Sequence, residues 1–345
     1  MINQGSYSDN VAEELGLQCT AYASDVATET SLESTAYASD VATAINGGQV
    51  VTPTLRVLQY NIGHFNMGKA AAPLGSPSTS SVLISSEKSD GYPSSLDRNY
   101  ATQLQRWKAR ISGINADIIS MPEWNDYFGY NGGSVVRTDE TGIFEGYSLS
   151  VGPIECSGWW INTLASKLIM SNSENVYLGS TAAPKAYVRV ASVMIDGNLV
   201  KVGSTHLNWN QASGYYESRM KEIKELVKYF DSFPYVILCG DFNTMGHYQQ
   251  NDYLAGLQEY DPFVNGFTED GITYNGGFTL ANTTTNPLLT ANATNSRPDL
   301  GASKNYPYQY LDNIIVKGFT MSNIQVVDDG TLTDHCALYC DLTII

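Results

Sequence analysis

Apolar residues recur along this chain in two rhythms: short unbroken or alternating runs, and two longer stretches with a step of three or four. The short runs predict strands. They are Leu55–Tyr60 (LRVLQY), Ala116–Met121 (ADIISM), Tyr235–Cys239, Leu311–Val316 and Cys336–Ile345. Lys167–Met170, Tyr187–Ile195 and Leu199–Ser204 are further runs of this kind. Asp196-Gly197-Asn198 between the last two is a hairpin signal, because Asp and Gly accept the left-handed backbone of a tight turn. The longer stretches predict amphipathic helices. Asp97 is placed to cap one that runs to about Ile114, with Tyr100, Leu104, Trp107 and Ile111 inward and Arg106, Lys108 and Arg110 solvated. The other covers Glu217–Phe230, with Met220, Ile223, Leu226 and Val227 inward. His64 to Ser95 and Asn275 to Tyr308 read as long loops. Strands interspersed with helices, plus a hairpin, predict an α/β protein with mixed sheets and helices outside.

The first 50 residues follow a different pattern. TAYASDVAT occurs at Thr20–Thr28 and again at Thr35–Thr43, a step of 15 residues. Tyr22 and Val26, then Tyr37, Val41 and Ile45, offer a thin apolar stripe that is too weak for a free helix in water. Residues 1–50 are therefore expected to form a flexible tail, or an oligomerising or docking stem. Such repeats loosely resemble stalk segments of virus-particle appendages. Gly47-Gly48 and Pro53 mark the boundary with a domain over residues 51–345.

Composition narrows the function. The chain has 345 residues, 43% of them hydrophobic, enough for one large domain with a real core. A net charge of −16 argues against a protein that grips nucleic acid along a basic stripe. It leaves room for an enzyme whose bound cation makes the local charge positive. Five cysteines without a CxxC pair favour a reducing compartment over a disulfide framework, and Cys239 reads as a buried small hydrophobe. No run is long enough for a membrane span, and the N-terminal residues lack the basic start and apolar core of a secretory signal. The expectation is a cytoplasmic or virus-particle-associated protein.

Polar residues cluster where the strands end. Asp241 and Asn243 follow the strand at Cys239 within GDFN, so a carboxylate that positions water could be held by an amide. His206 ends another strand in STHL, and Asp334-His335 precedes the last one. Asp312 lies inside an apolar strand, where a lone carboxylate is costly, and a protonated His335 would resolve that cost. Glu123 follows ADIISM and offers oxygen to a hard cation. Asn61 follows the first strand.

In this order, VLQYNIG, ADIISMPEW, GSTHLNW, VILCGDFNT, YLDNIIV and LTDHCAL resemble the endonuclease/exonuclease/phosphatase superfamily, over about Leu55 to Ile345. That superfamily includes pancreatic-type deoxyribonuclease, sphingomyelinases and inositol-polyphosphate phosphatases. Pro122 stands where it usually has Gln, and Thr333 where it usually has Ser. Its strand arginine has two candidates here, Lys185 and Arg189.

The resemblance implies a four-layer sandwich, two packed mixed β-sheets flanked by helices. It also implies in-line attack of water on a phosphate ester, with Mg²⁺ or Mn²⁺ held by Glu123, Asp334 and Asn61. Asp241, held by Asn243, would position water. His335, oriented by Asp312, and His206 would flank the scissile phosphate. Trp209 is a further substrate-contact candidate, by stacking. Paired histidines make a DNA phosphodiester the first expectation for substrate; a sphingomyelin or inositol-phosphate ester is the alternative. A reading of another class is a structural virion appendage that carries this domain.

Overall fold

The computed structural model describes residues 54–62, 100–124, 142–153, 161–179, 186–208, 215–244, 256–290, 310–327, 333 and 335–345. The chain divides into Met1–Thr52 and Pro53–Ile345. The repeats of the first unit lie outside the described residues, as does the loop expected from His64 to Ser95.

The second unit is built on two six-stranded sheets. Sheet one contains β1 (Leu55–Gln59), β2 (Ile118–Trp124), β3 (Ser148–Val151), β4 (Ile161–Ser166), β13 (Phe319–Val327) and β14 (Ala337–Ile344), in the order β13-β14-β1-β2-β4-β3. Sheet two contains β5 (Ser171–Tyr177), β6 (Tyr187–Ile195), β7 (Asn198–His206), β8 (Val236–Asp241), β11 (Thr279–Leu280) and β12 (Asp312–Lys317), in the order β11-β12-β8-β7-β6-β5. A small ribbon pairs β9 (Phe267–Glu269) with β10 (Ile272–Tyr274). Each large sheet has one parallel pair at its centre, β1 with β2 and β7 with β8; the other pairings are antiparallel. A helix makes each parallel crossover, as parallel neighbours require. These are α1 (Tyr100–Ile114) and α2 (Tyr215–Phe230); the short α3 (Asp261–Asn265) follows a 3₁₀ turn at Leu257–Tyr260.

Strand alternation produces three apolar layers. In β8, Val236 and Leu238 face α2, while Ile237 and Cys239 face sheet one. In β1, Leu58 packs on the α1 side with Trp107 and Ile111, as does Tyr60 just beyond the strand, while Val57 joins Ile118, Val202 and Ile314 between the sheets. The result is a four-layer α/β sandwich, as expected from the sequence. No helix among the described residues is long and apolar enough to cross a membrane.

Local readings and structure agree best at the centre. The hairpin of β6 and β7 turns at Asp196-Gly197, both with positive φ (48° and 75°), the two-residue turn whose twist suits antiparallel strands. Differences appear at the edges. Lys167–Met170, expected as a strand, is the connection between β4 and β5. The apolar rhythm also left out β3, β5, β9, β10 and β13. The polar run of β5 is mostly solvent-exposed and shows no alternation to read. The described part of the segment expected as a loop from Asn275 to Tyr308 includes β11. Asn282 and Asn313 clamp it by reciprocal hydrogen bonds of 2.9 Å.

Candidate active site

The inner faces of the central strands turn from apolar to polar toward one rim of the sandwich. Val57 gives way to Gln59 and Asn61, Ile118 to Ser120, Val202 to Ser204 and His206, and Ile237 and Cys239 to Asp241. On β12, which runs the other way, Ile314 gives way to Asp312. Period-two alternation thus aims all these side chains into the gap between the sheets. Close strand approach explains Gly240 in GDFN: a Cβ there would lie 2.5 Å from the Thr205 carbonyl oxygen on β7.

Asp241 is the hub. Its Oδ2 accepts from Asn61 Nδ2 at 2.9 Å and lies 3.4 Å from His206 Nε2 and 3.5 Å from His335 Nε2. Its Oδ1 accepts from the Asn243 backbone N–H at 3.0 Å. Asn61 Nδ2 also donates to Glu123 Oε1 at 3.1 Å, and that oxygen is 3.9 Å from His206 Nε2. Behind the hub, Asp312 Oδ2 meets His335 Nδ1 at 2.7 Å, and Asp312 Oδ1 accepts from Gln59 Nε2 at 2.9 Å. Asn243 Nδ2 ties down the Leu207 carbonyl at 3.0 Å. Thr333 Oγ1 donates to the Asn61 carbonyl at 3.0 Å and accepts from the His335 N–H at 3.4 Å.

Two of these residues hold an unusual backbone. Glu123 and Asn243 have φ of 56° and 50°, a left-handed conformation that residues with a Cβ adopt at a cost. Such outliers collect at functional sites, where surrounding structure enforces them. Burial pushes the Asp241 carboxyl up to about 7, and the nearby Asp312 charge adds to it. His335 and the hydrogen bonds from Asn61 and Asn243 act in the opposite direction.

This donor set suits a hard divalent cation. Oxygens of Glu123 and Asp241 and a nitrogen of His206 lie within 4.8 Å of one another. Among the described residues, the ion pairs of Asp241 and Asp312 are with imidazoles and not with Lys or Arg. Buried carboxylates massed in this way leave negative charge for a cation to balance.

No protein-family model and no curated protein sequence matches the chain. Solved structures do. One is an endonuclease/exonuclease/phosphatase from Beutenbergia cavernae, with a TM-score of 0.56 at 17% identity over 84% of this chain and 72% of that one. The chain has the endonuclease/exonuclease/phosphatase fold. The catalytic domain of human Nocturnin with bound sulfate superposes with a TM-score of 0.55 at 15% identity, over 85% of this chain and 94% of that one. D. rerio TDP2 complexed with single-strand DNA product does so with a TM-score of 0.55 at 13% identity, over 84% and 99%.

Within this fold, the residues singled out from sequence separate into three groups. Asn61, Glu123, His206, Asp241, Asn243, Asp312 and His335 converge at the rim. Arg189 lies on β6, where its Nε donates to Ser150 Oγ and its Nη1 to Asn175 Oδ1, both at 3.0 Å. Asp334, Lys185 and Trp209 lie outside the described residues. Sequence reading missed Gln59, a polar inner-face position two residues before Asn61. It also missed Glu222, which is fully buried on α2. Glu222 Oε2 accepts from the Asn208 N–H at 3.2 Å, and Oε1 accepts from the Asn208 side-chain amide. An acid on the inward side of a helix was the available signal for Glu222.

Proposed function

We propose that this chain is a divalent-metal-dependent phosphoesterase that hydrolyses phosphodiester bonds, with DNA as the first substrate. The observation that carries the reading is the placement of Asp241 between two imidazoles, beside Glu123 and Asn61, at a rim supplied by both sheets. The fold is shared with Nocturnin and TDP2, and the TDP2 complex with a single-strand DNA product supports DNA as the substrate class.

Glu123, Asn61 and Asp334 are the residues we assign to hold Mg²⁺ or Mn²⁺. When bound, the ion supplies positive charge against the phosphate and leaving oxygens. The chain's own groups do the rest. Asp241 orients the attacking water and draws on its proton, while the Asn243 N–H and the Asn61 amide keep the carboxylate plane fixed. His335, buttressed at Nδ1 by Asp312, presents Nε2 toward Asp241. His206 places its Nε2 3.4 Å from the same oxygen. The two imidazoles thus frame the space where a phosphoryl group would sit and can donate to its oxygens.

The test is a hydrolysis panel of plasmid DNA, RNA, sphingomyelin and an inositol phosphate, each with Mg²⁺, with Mn²⁺ and with excess EDTA. We expect DNA cleavage that EDTA abolishes, and a loss of about a hundredfold or more in Glu123→Gln. Full turnover in EDTA would sink the metal assignment. Hydrolysis of sphingomyelin alone would replace DNA with a lipid phosphodiester.

A further inference from the structure

Gln59 is fully buried at the end of β1, on the face that looks across to sheet two. Its Nε2 donates to Asp312 Oδ1 on β12 at 2.9 Å. The other oxygen of that carboxylate meets His335 Nδ1 at 2.7 Å. Among the described residues, Gln59 Oε1 has no hydrogen-bond partner. A buried amide that leaves one end unused is costlier than a Leu or Met of similar size. Packing alone therefore does not explain an amide here; the contact with Asp312 does.

That contact does something the backbone cannot. The start of β12 is already pinned, because the Asp312 N–H donates to Thr290 Oγ1 at 2.9 Å. The carboxyl plane still turns about a soft terminal torsion. Holding Oδ1 in place settles where Oδ2 lies, and Oδ2 sets the ring of His335. The far nitrogen of that ring is 3.5 Å from Asp241. We propose that Gln59 is a positioning residue: from sheet one it locks the Asp312 carboxyl so that His335 is aimed at Asp241. The geometric claim stands by itself. Its kinetic consequence rests on the phosphoesterase reading.

The test uses the full chain and compares Gln59→Leu, Gln59→Glu and Ser120→Ala. Ser120 Oγ donates to Ser204 Oγ across the same sheet interface at 2.8 Å, so its variant controls for losing one buried cross-sheet bond. Two quantities are measured. One is the low-field NMR resonance of the His335 Nδ1–H, assigned by its loss in His335→Asn. The other is kcat and KM on the ester that the panel identifies. We expect Gln59→Leu to move and broaden the resonance and to lower kcat about tenfold with KM nearly unchanged, the scale of a small misplacement of a reacting group. Gln59→Glu, which sets one carboxyl against another, should cost more. Ser120→Ala should leave both readouts near wild type. A folded Gln59→Leu with the wild-type resonance would overturn the proposal. So would a Ser120→Ala variant with equal effects, since that would reveal general loosening of the sheets. Should Gln59→Leu not fold, Gln59→Met is measured in its place against the same criteria. A wild-type chain that cleaves no ester refutes the phosphoesterase reading, and the resonance then decides the role of Gln59 by itself.

Discussion

Sheet one sets β13 and β14 beside β1, and β4 and β3 beside β2; sheet two sets β5 and β6 beside β7, and β12 and β11 beside β8. Each has a central parallel pair crossed by one helix, so the two halves share a plan. Their helices differ. Described residues of α1 bury Trp107, Ile111 and Ile114, an apolar stripe. On α2, Ile223, Leu226, Val227 and Phe230 are buried, but so are Arg219 and Glu222. Arg219 grips Glu259 through Nε and Nη2 at 3.0 and 3.1 Å. Glu222 holds Asn208, two residues beyond His206. The comparison teaches that one topology can support a rim by dispersion on one side and by a buried polar frame on the other. The second half also carries the hub, Asp241, and its partner Asp312.

The largest expected effect tests the hub. Asp241→Asn should lower turnover by about a thousandfold, within the range for acid–base groups. It should also stabilise the protein in EDTA. The sign follows from the raised folded-state pKa of about 7 against an unfolded value near 4. Between those values the native state binds the extra proton, so the stability that Asp241 contributes is fully present below about pH 4 and is lost as pH rises through 7. Thermal midpoints in EDTA across that window should fall for wild type and stay flatter for the variant. Parallel curves would remove the buried-hub account.

Next comes the polar frame of α2. Breaking a buried pair from one side leaves a charge unmatched, so Arg219→Met should cost about 3–5 kcal/mol in denaturant unfolding. The double variant Arg219→Met with Glu259→Leu should recover most of that loss. Equal destabilisation in single and double variants would mean that the pair shapes this region rather than balancing charge. Burial raises the Glu222 carboxyl above its ordinary range. Both of its oxygens nonetheless accept from Asn208, so Glu222→Gln, which puts a donor in place of one acceptor, and Glu222→Ala should each cost about 1–3 kcal/mol through unmet groups on Asn208. A neutral Glu222→Ala would place the support of the turn after His206 elsewhere.

The smallest effects belong to a feature the halves share. Asn172 on β5 and Asn323 on β13 both have positive φ, 49° and 48°, where the strand register shifts. Such irregularities bend an edge strand and discourage pairing with another chain. Asn172→Gly and Asn323→Gly should each change stability by no more than about 0.5 kcal/mol, and the alanine variants should cost about 1 kcal/mol. Different penalties at the two edges would limit the likeness of the halves to topology.

Much of this organisation was legible in the linear chain. Short apolar runs located β1, β2, β6, β7, β8, β12 and β14, and the periodic stretches located α1 and α2, because core strands and amphipathic helices write their burial into local spacing. Polar residues at the ends of those strands marked Asn61, Glu123, His206, Asp241, Asn243, Asp312 and His335. The edge strands β5 and β13 left little trace, since one face and one edge meet water and need no apolar rhythm. Tertiary structure alone decided which polar residues meet. Gln59 and Asp312 are 253 positions apart and belong to different sheets. Arg189 is turned toward Ser150 and Asn175 by the strands beside it. Asp241 takes its raised pKa from a gap that exists only once both sheets have packed. Burial and cross-sheet distance are properties of the assembled sandwich, and no local window of residues contains them.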